Sequence, residues 1–283
     1  MTAATISHAP RRPASRRGNL RWLVSDVAVL AKRSLARIAR EPETLMDVTI
    51  QPILFVLLFA FVFGGAIPLP GGGNYHEYLI GGMLAMGLAA TAPGTAVALV
   101  TDMSSGLIDR FRSLPTSRSA VLAGRTIADL VTQVIGTAVV AAVGLAIGWR
   151  IHTSVADAAA AFGLALLFGY AFTWVGAWLG MMLRSPEAAQ QMGFVLFLPL
   201  TFVSNAFVPT QGMPGWLQPI AEWNPMSALA AAARSLFGNP NPAASVQAWP
   251  MQHPELAVLG WSAVLLAVFA PLAVRLYRRK SAG

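Results

Sequence analysis

The sequence has no cysteine and only two lysines, Lys32 and Lys280. Without cysteine there can be no disulfide framework, thiolate metal site or cysteine nucleophile. Neither lysine follows a glycine, so the Gly-Lys-Ser or Gly-Lys-Thr step that brings a lysine to nucleotide phosphates in a P-loop is missing. The chain carries no ATPase site of that kind, and it has no HExxH or GxSxG motif. Its four histidines, His8, His76, His152 and His253, are scattered and read as structural or solvent-facing, not as metal ligands. Charge is scarce as well. Charged residues make up 11% of the chain, against about 25% in ordinary soluble domains. With 55% hydrophobic residues, that deficit points to the membrane. The net charge of +8 raises nucleic acid as a partner, but too few polar residues remain to build a basic face on a soluble domain.

What is present is a set of long apolar runs. Crossing about 30 Å of hydrocarbon takes about twenty residues. Six runs approach or exceed that length, at about 48–67, 78–100, 127–149, 158–183, 192–209 and 256–274. They lack the period-two alternation of barrel strands. The expected fold is therefore an all-α integral membrane protein of six transmembrane helices, occupying 42–275. The fifth run is the shortest and contains Pro199. Neighbouring helices must satisfy the backbone groups that a proline kink frees.

Basic residues give the direction. Leaving aside five arginines from Arg11 to Arg21, thirteen Lys and Arg lie beside one set of connections and two, Arg150 and Arg234, beside the other. The positive-inside rule puts both termini and the connection before the third span in the cytoplasm. An even number of spans requires the same. Residues 1–20 read as a disordered basic tail, and 276–283 as a second basic tail.

In the segment 21–41, Leu23, Val27, Leu30, Leu35 and Ile38 recur near helical spacing. Lys32, Arg33, Arg37 and Arg40 take other positions. This predicts an amphipathic helix lying in the cytoplasmic interface of the lipid bilayer; a soluble helix packed on a partner is the alternative. On the outside, "GMPGWLQPIAEWNPMSALAAAARSLF", Gly212 to Phe237, is too broken to span. Two short re-entrant helices before the last span account for it, with Trp216 and Trp223 at the outer interface. Gly144 with Gly148, and Gly176 with Gly180, match the small-residue pattern of close helix contacts, with no partner named.

The acids cluster at span ends, as with Asp47, Asp102, Asp157, Glu187 and Glu255. Asp129 lies one turn inside the third span, four residues after Arg125, where the two can pair on one helical face. A proton-coupled carrier would place an acid deeper. With no nucleotide site and no ion-coupling group, a transporter of this design draws its energy from another protein.

That leaves "SSGLIDRFRSLPTSRSAVLAGR", Ser104 to Arg125, a basic hinge between apolar runs. Leu107, Ile108, Phe111 and Leu114 fall on one helical face; Asp109, Arg110, Arg112 and Ser113 face elsewhere. Gly106 precedes this short helix and Pro115 stops it. An apolar ridge with a charged flank fits a groove on another protein. An ordinary charged turn that only sets topology fits equally.

"AREPETLMDVTIQPILFVLLFAFVFGGAI", Ala39 to Ile67, resembles the start of ABC-2 type transporter permease subunits of the daunorubicin-resistance, drug-efflux type. The hinge resembles that family's cytoplasmic loop, and "WNPMSALAAAARSLFG" its outer re-entrant segment. The resemblance covers nearly all of the chain after Arg21. It implies a multi-pass permease subunit of the bacterial inner membrane, exporting a hydrophobic or amphipathic drug or antibiotic. It implies a separate ABC ATP-binding subunit that holds ATP and Mg, and a homodimer or heterodimer of permeases. It also implies an ATPase-coupling role for Gly106, Leu107, Asp109, Arg110, Phe111, Arg112, Leu114 and Pro115. Many members start this loop with several glutamates. Here it reads "TDMSSG", with Asp102 the only acid, so roles of those extra acids do not carry over.

Polar groups inside two spans are the candidates for a substrate pathway: Thr91 and Thr95 beside Pro93 in the second, and Thr201, Ser204 and Asn205 in the fifth. Spans two and five tend to line the pathway in the resembling family. The alternative is hydrogen bonding between helices. Export of a lipid or polysaccharide precursor, or a membrane scaffold that transports nothing, are the other functions weighed.

Overall fold

The computed structural model describes residues 42–104 and 118–280. The interfacial helix expected at 21–41, the N-terminal tail, the last three residues and the hinge residues 105–117 lie outside the described residues.

The described residues are helical, with no strand among them. Helix α1, Pro42–Leu57, continues as a π-helical turn, Leu58–Phe63. Proline and glycine end it. Gly71, Gly72 and Gly73 all have positive φ, a backbone region that glycine enters without a Cβ penalty. Asn74 then caps α2, Tyr75–Ala89, by accepting from the His76 backbone N–H. A one-residue break at Ala90 leads into α3, Thr91–Ser104. Pro93 explains the break, because it offers no N–H to the carbonyl four residues back. Helix α4 is Arg118–Ala146. Helix α5, Val155–Met182, starts in a capping box between Ser154 and Asp157, which satisfies two orphan donors at once.

Helix α6 is Pro186–Phe202, capped by Ser185 with proline in its first turn. It begins before the apolar run because Glu187, Gln190 and Gln191 are polar yet helical. After it come α7, Gln218–Glu222, α8, Pro225–Phe237, and α9, Trp249–Gln252. Helix α10, Pro254–Lys280, closes the chain.

Four stretches are long and apolar enough to cross a membrane: Tyr75–Ser104, Arg125–Ala146, Val155–Met182 and Pro254–Tyr277. Thr49–Phe63 is shorter, and α6 has 17 residues. The fold is that of an all-helical membrane protein. Leu54, Phe61, Val62, Phe194, Val195 and Leu198 lie on its surface, as hydrocarbon solvent permits.

Helix α5 is the axis. It packs against α10, α3, α8, α4 and α2, so it is apolar on every side. The small residues of Gly176 and Gly180 find their partner in α3. A Cβ on Gly176 would sit 2.1 Å from the Ala92 carbonyl oxygen, and one on Gly180 2.7 Å from that of Ala96. The other pair does not act as one motif. Gly144 lies against Ile80 and Trp149, whereas Gly148 has φ +102° with open space around it; it is a turn residue just past the end of α4.

Helix α8 has 13 residues, about 20 Å at 1.5 Å per residue, too short to span. It is covered by α2, α5 and α10, and Ala228 to Ala233 are buried. Asn224 holds both of its neighbours. Its Oδ1 accepts from the Met226 N–H at the start of α8, and its Nδ2 donates to the Leu200 and Val203 carbonyls at the end of α6.

Candidate functional site

Two buried polar clusters gather all five pathway candidates. The first joins α3, α4 and α5. Thr95 Oγ1 donates to Asp129 Oδ2 at 2.8 Å, and Arg125 Nε lies 3.1 Å from the other Asp129 oxygen. The Arg125–Asp129 pair expected from their spacing is therefore formed. One turn further from the hinge, Gln133 Nε2 donates to Thr91 Oγ1 at 3.1 Å and to Thr173 Oγ1 at 3.0 Å. Thr95, Gln133 and Thr173 are all at least 98% buried.

Proton counting fixes the orientation of this cluster. Thr91 donates its hydroxyl proton to the carbonyl of Leu88, across the break between α2 and α3, and Thr173 donates to that of Gly169 in its own helix. Only lone pairs remain, so the group facing both must be the NH2 of Gln133. Its Oε1 has no partner; it is pressed against Gly169, where a Cβ would lie 2.8 Å away. Thr95 differs. Its single proton has two acceptors in reach, Asp129 Oδ2 and the Thr91 carbonyl, the latter at 3.0 Å. A hydrogen bond to a charged group contributes about 1.5–3 kcal/mol and a neutral one about 0.5–1.5 kcal/mol, so the carboxylate is the preferred partner.

The second cluster lies between the end of α6 and α8. Arg234, in α8, is fully buried. Its Nε donates to the Tyr78 carbonyl at 2.8 Å; its terminal nitrogens donate to Asn205 Oδ1, the Asn205 carbonyl and the Ala206 carbonyl at 3.3, 3.0 and 2.9 Å. The guanidinium also lies 3.5 Å from the centre of the Tyr78 ring. All of these partners are neutral, so carbonyl dipoles and an aromatic face carry the solvation of the cation. Asn205 is held further by Ser227, which accepts from its N–H, and by Tyr78, whose hydroxyl donates to its carbonyl. Thr201 and Ser204 donate to the carbonyls of Phe197 and Thr201. In this conformation Thr201 and Ser204 bond to their own stretch of chain, and Asn205 to neighbouring segments of the same chain.

The sequence singled out neither Gln133 nor Arg234 as a site residue. Arg234 carried a signal, as one of two cations set apart from the other thirteen in the charge count and following an alanine run. Gln133 carried only its polarity. The coupling candidates Gly106, Leu107, Asp109, Arg110, Phe111, Arg112, Leu114 and Pro115 lie outside the described residues. Helices α3 and α4, which flank that segment in sequence and carry the first cluster, are described. Among the described residues no group of histidines and acids could hold a metal ion.

Comparison with known proteins adds to this geometry. Residues 25–237 match the family model of the ABC-2 type transporter. The chain is 33% identical to the daunorubicin resistance ABC transporter permease protein DrrB1 of Streptomyces coeruleorubidus, over 98% of this chain and 93% of that protein. It is 26% identical to the probable doxorubicin resistance ABC transporter permease protein DrrC of Mycobacterium tuberculosis, over 99% and 98%. It is 25% identical to a putative transport permease, ycf38, of Cyanophora paradoxa, over 91% and 89%.

Proposed function

We infer how the protein works from one premise: this chain belongs to the ABC-2 type transporter family. It is the membrane permease subunit of an ATP-driven exporter, a multi-pass protein of the bacterial inner membrane, and its cargo is a hydrophobic or amphipathic drug. The similarity to resistance permeases over nearly the full chain carries this reading. Having no P-loop lysine, the chain relies on a partner subunit to bind ATP and Mg and to hydrolyse the nucleotide.

In this reading the six apolar stretches all span, with both termini in the cytoplasm. Helices α1 and α6 cross with the help of their neighbours. Two copies face each other, and cargo passes between them along the apolar surfaces of α1 and α6. The hinge, with Phe111 and Leu114 on its ridge and Arg110 and Arg112 on its flank, seats on the ATPase. ATP binding draws two ATPases together, each pushes a hinge, and α3 and α4 tilt so that the cavity opens outward. Such a change needs a ligand that binds the two states differently; ATP on the partner is that ligand.

The test is purification in mild detergent followed by reconstitution with the ATP-binding protein that accompanies the chain. Daunorubicin and doxorubicin, the drugs in the relatives' names, are the first probes. ATP-dependent drug movement is the expected result. Drug movement by the chain alone, or no P-loop protein bound, would refute the reading.

A further inference from the structure

Helices α3 and α4 flank the hinge, but α3 is fastened elsewhere. Shape fixes it to α5, because Ala92 and Ala96 fill the space left by Gly176 and Gly180. It also packs broadly on α6, while its meeting with α4 is narrow. Hydrogen bonds from Thr95 to Asp129 and from Gln133 to Thr91 cross that seam. They are ordered along it. Thr95 lies nine residues before Ser104, the last described residue of α3, so it sits about 14 Å from the hinge at 1.5 Å per residue. Thr91 is one turn deeper on α3, and Gln133 one turn deeper than Asp129 on α4.

Each member of the outer bond has a fallback on its own helix. The Thr95 hydroxyl can turn to the Thr91 carbonyl, 3.0 Å away, a local bond open to threonine in any helix. Asp129 keeps Arg125, one turn away on α4. Parting this bond leaves each residue one partner on its own helix and costs Asp129 Oδ2 its donor. The open arrangement therefore lies above the closed one by about one charge-assisted hydrogen bond, which outside work must supply. The inner bond is anchored at a third helix, because Gln133 also holds Thr173 of α5. Of these two bonds, a pull from the hinge parts Thr95 from Asp129 before Gln133 from Thr91, because Gln133 is the one held on three helices.

We propose that Thr95 and Asp129 form a releasable latch between α3 and α4, closed in this conformation and opened when the partner ATPase works on the hinge. The proposal rests on the permease reading. Both residues are positioning residues that act through the helices carrying them.

The experiment uses the chain assembled with its ATP-hydrolysing partner in lipid vesicles, with daunorubicin as cargo. Thr95→Val keeps the shape and removes the hydroxyl. It is expected to raise ATP hydrolysis without drug about fivefold and to lower drug moved per ATP by a similar factor. Thr95→Ser restores both. Asp129→Asn also gives up the Arg125 ion pair, so the test of shared action is a cycle. On coupling, Thr95→Val combined with Asp129→Asn falls short of the sum of the two single variants. A merely structural role would lower the yield of assembled complex and leave drug moved per ATP unchanged. A second measurement does not depend on those variants. With no native cysteine, Thr101→Cys on α3 and Val134→Cys on α4, both at exposed positions, take spin labels cleanly. Their separation is expected to change on adding ATP. A Thr95→Val complex coupled like the unsubstituted one, or an unchanged label separation while drug is moved, overturns the latch and leaves the permease reading standing. An unsubstituted complex that hydrolyses ATP and moves nothing overturns both.

Discussion

Arg234 lies 3.5 Å from the centre of the Tyr78 ring and donates through Nε to the carbonyl oxygen of the same residue at 2.8 Å. One side chain thus meets a neighbouring helix twice, through its π-face and through its backbone. Gly81, one turn along α2, makes this possible, since a Cβ there would sit 2.9 Å from both the Ala230 carbonyl and Arg234 Cγ. Helix α8, the start of α2 and the end of α6 are therefore held as one body.

Replacing Arg234 should be among the most damaging single changes. Arg234→Ala takes a donor from the Tyr78, Asn205 and Ala206 carbonyls, of which Asn205 keeps the Tyr78 hydroxyl, and it opens a cavity where the guanidinium stood. Each buried carbonyl left unmet costs about 1–3 kcal/mol before relaxation. We expect a net loss of at least about 3 kcal/mol. Arg234→Lys should recover only part of it, because an ammonium lacks the planar fork and stacks poorly. Thermal unfolding of the detergent-solubilised protein measures both, and a Lys variant as stable as the original would contradict the geometry.

The α3–α5 contact makes a paired prediction. Gly176→Ala puts a methyl group 2.1 Å from the Ala92 carbonyl oxygen, and the helices must separate, at about 1–3 kcal/mol. Gly163→Ala, on the same helix with open space around it, should be neutral or stabilising by up to about 1 kcal/mol through helix propensity. Equal melting temperatures for the two variants would rule out the close approach.

Asn224 separates two roles. Asn224→Asp keeps the cap on α8 and loses the amide donor to α6; Asn224→Ala loses both. Caps contribute about 1 kcal/mol. The Asp variant keeps that cap but sets a buried carboxylate oxygen against the Leu200 and Val203 carbonyls. Both variants should therefore fall clearly below the unsubstituted protein, the Ala variant by at least about 1 kcal/mol in thermal unfolding. Proteolysis of the 203–224 segment should rise in both.

Phe111→Ala, or Arg110→Glu with Arg112→Glu, should leave membrane insertion intact while the reconstituted complex hydrolyses ATP with little drug movement. Transport at the unsubstituted level in both variants would remove the coupling role of the hinge.

Local composition was enough for several of these features. The membrane class, the helical class, the family and the Arg125–Asp129 pair all follow from hydropathy, short spacing or motifs within a few dozen residues. Ser154 with Asp157 is a capping box that any reader of three-residue spacing would expect. Gly148 misled, because its spacing from Gly144 imitates a packing motif while its role is to turn the chain.

The sequence alone determined that this is an apolar helical chain without its own P-loop, because hydropathy and motif chemistry are properties of neighbouring residues. Only the tertiary structure decided what the buried polar groups do. Thr95 meets Asp129 across 34 positions, Gln133 meets Thr173 across 40 and Arg234 reaches Tyr78 across 156. Inside an apolar protein a polar atom is bound by whichever partner the packing brings within 3 Å, and no local pattern records which helix that will be.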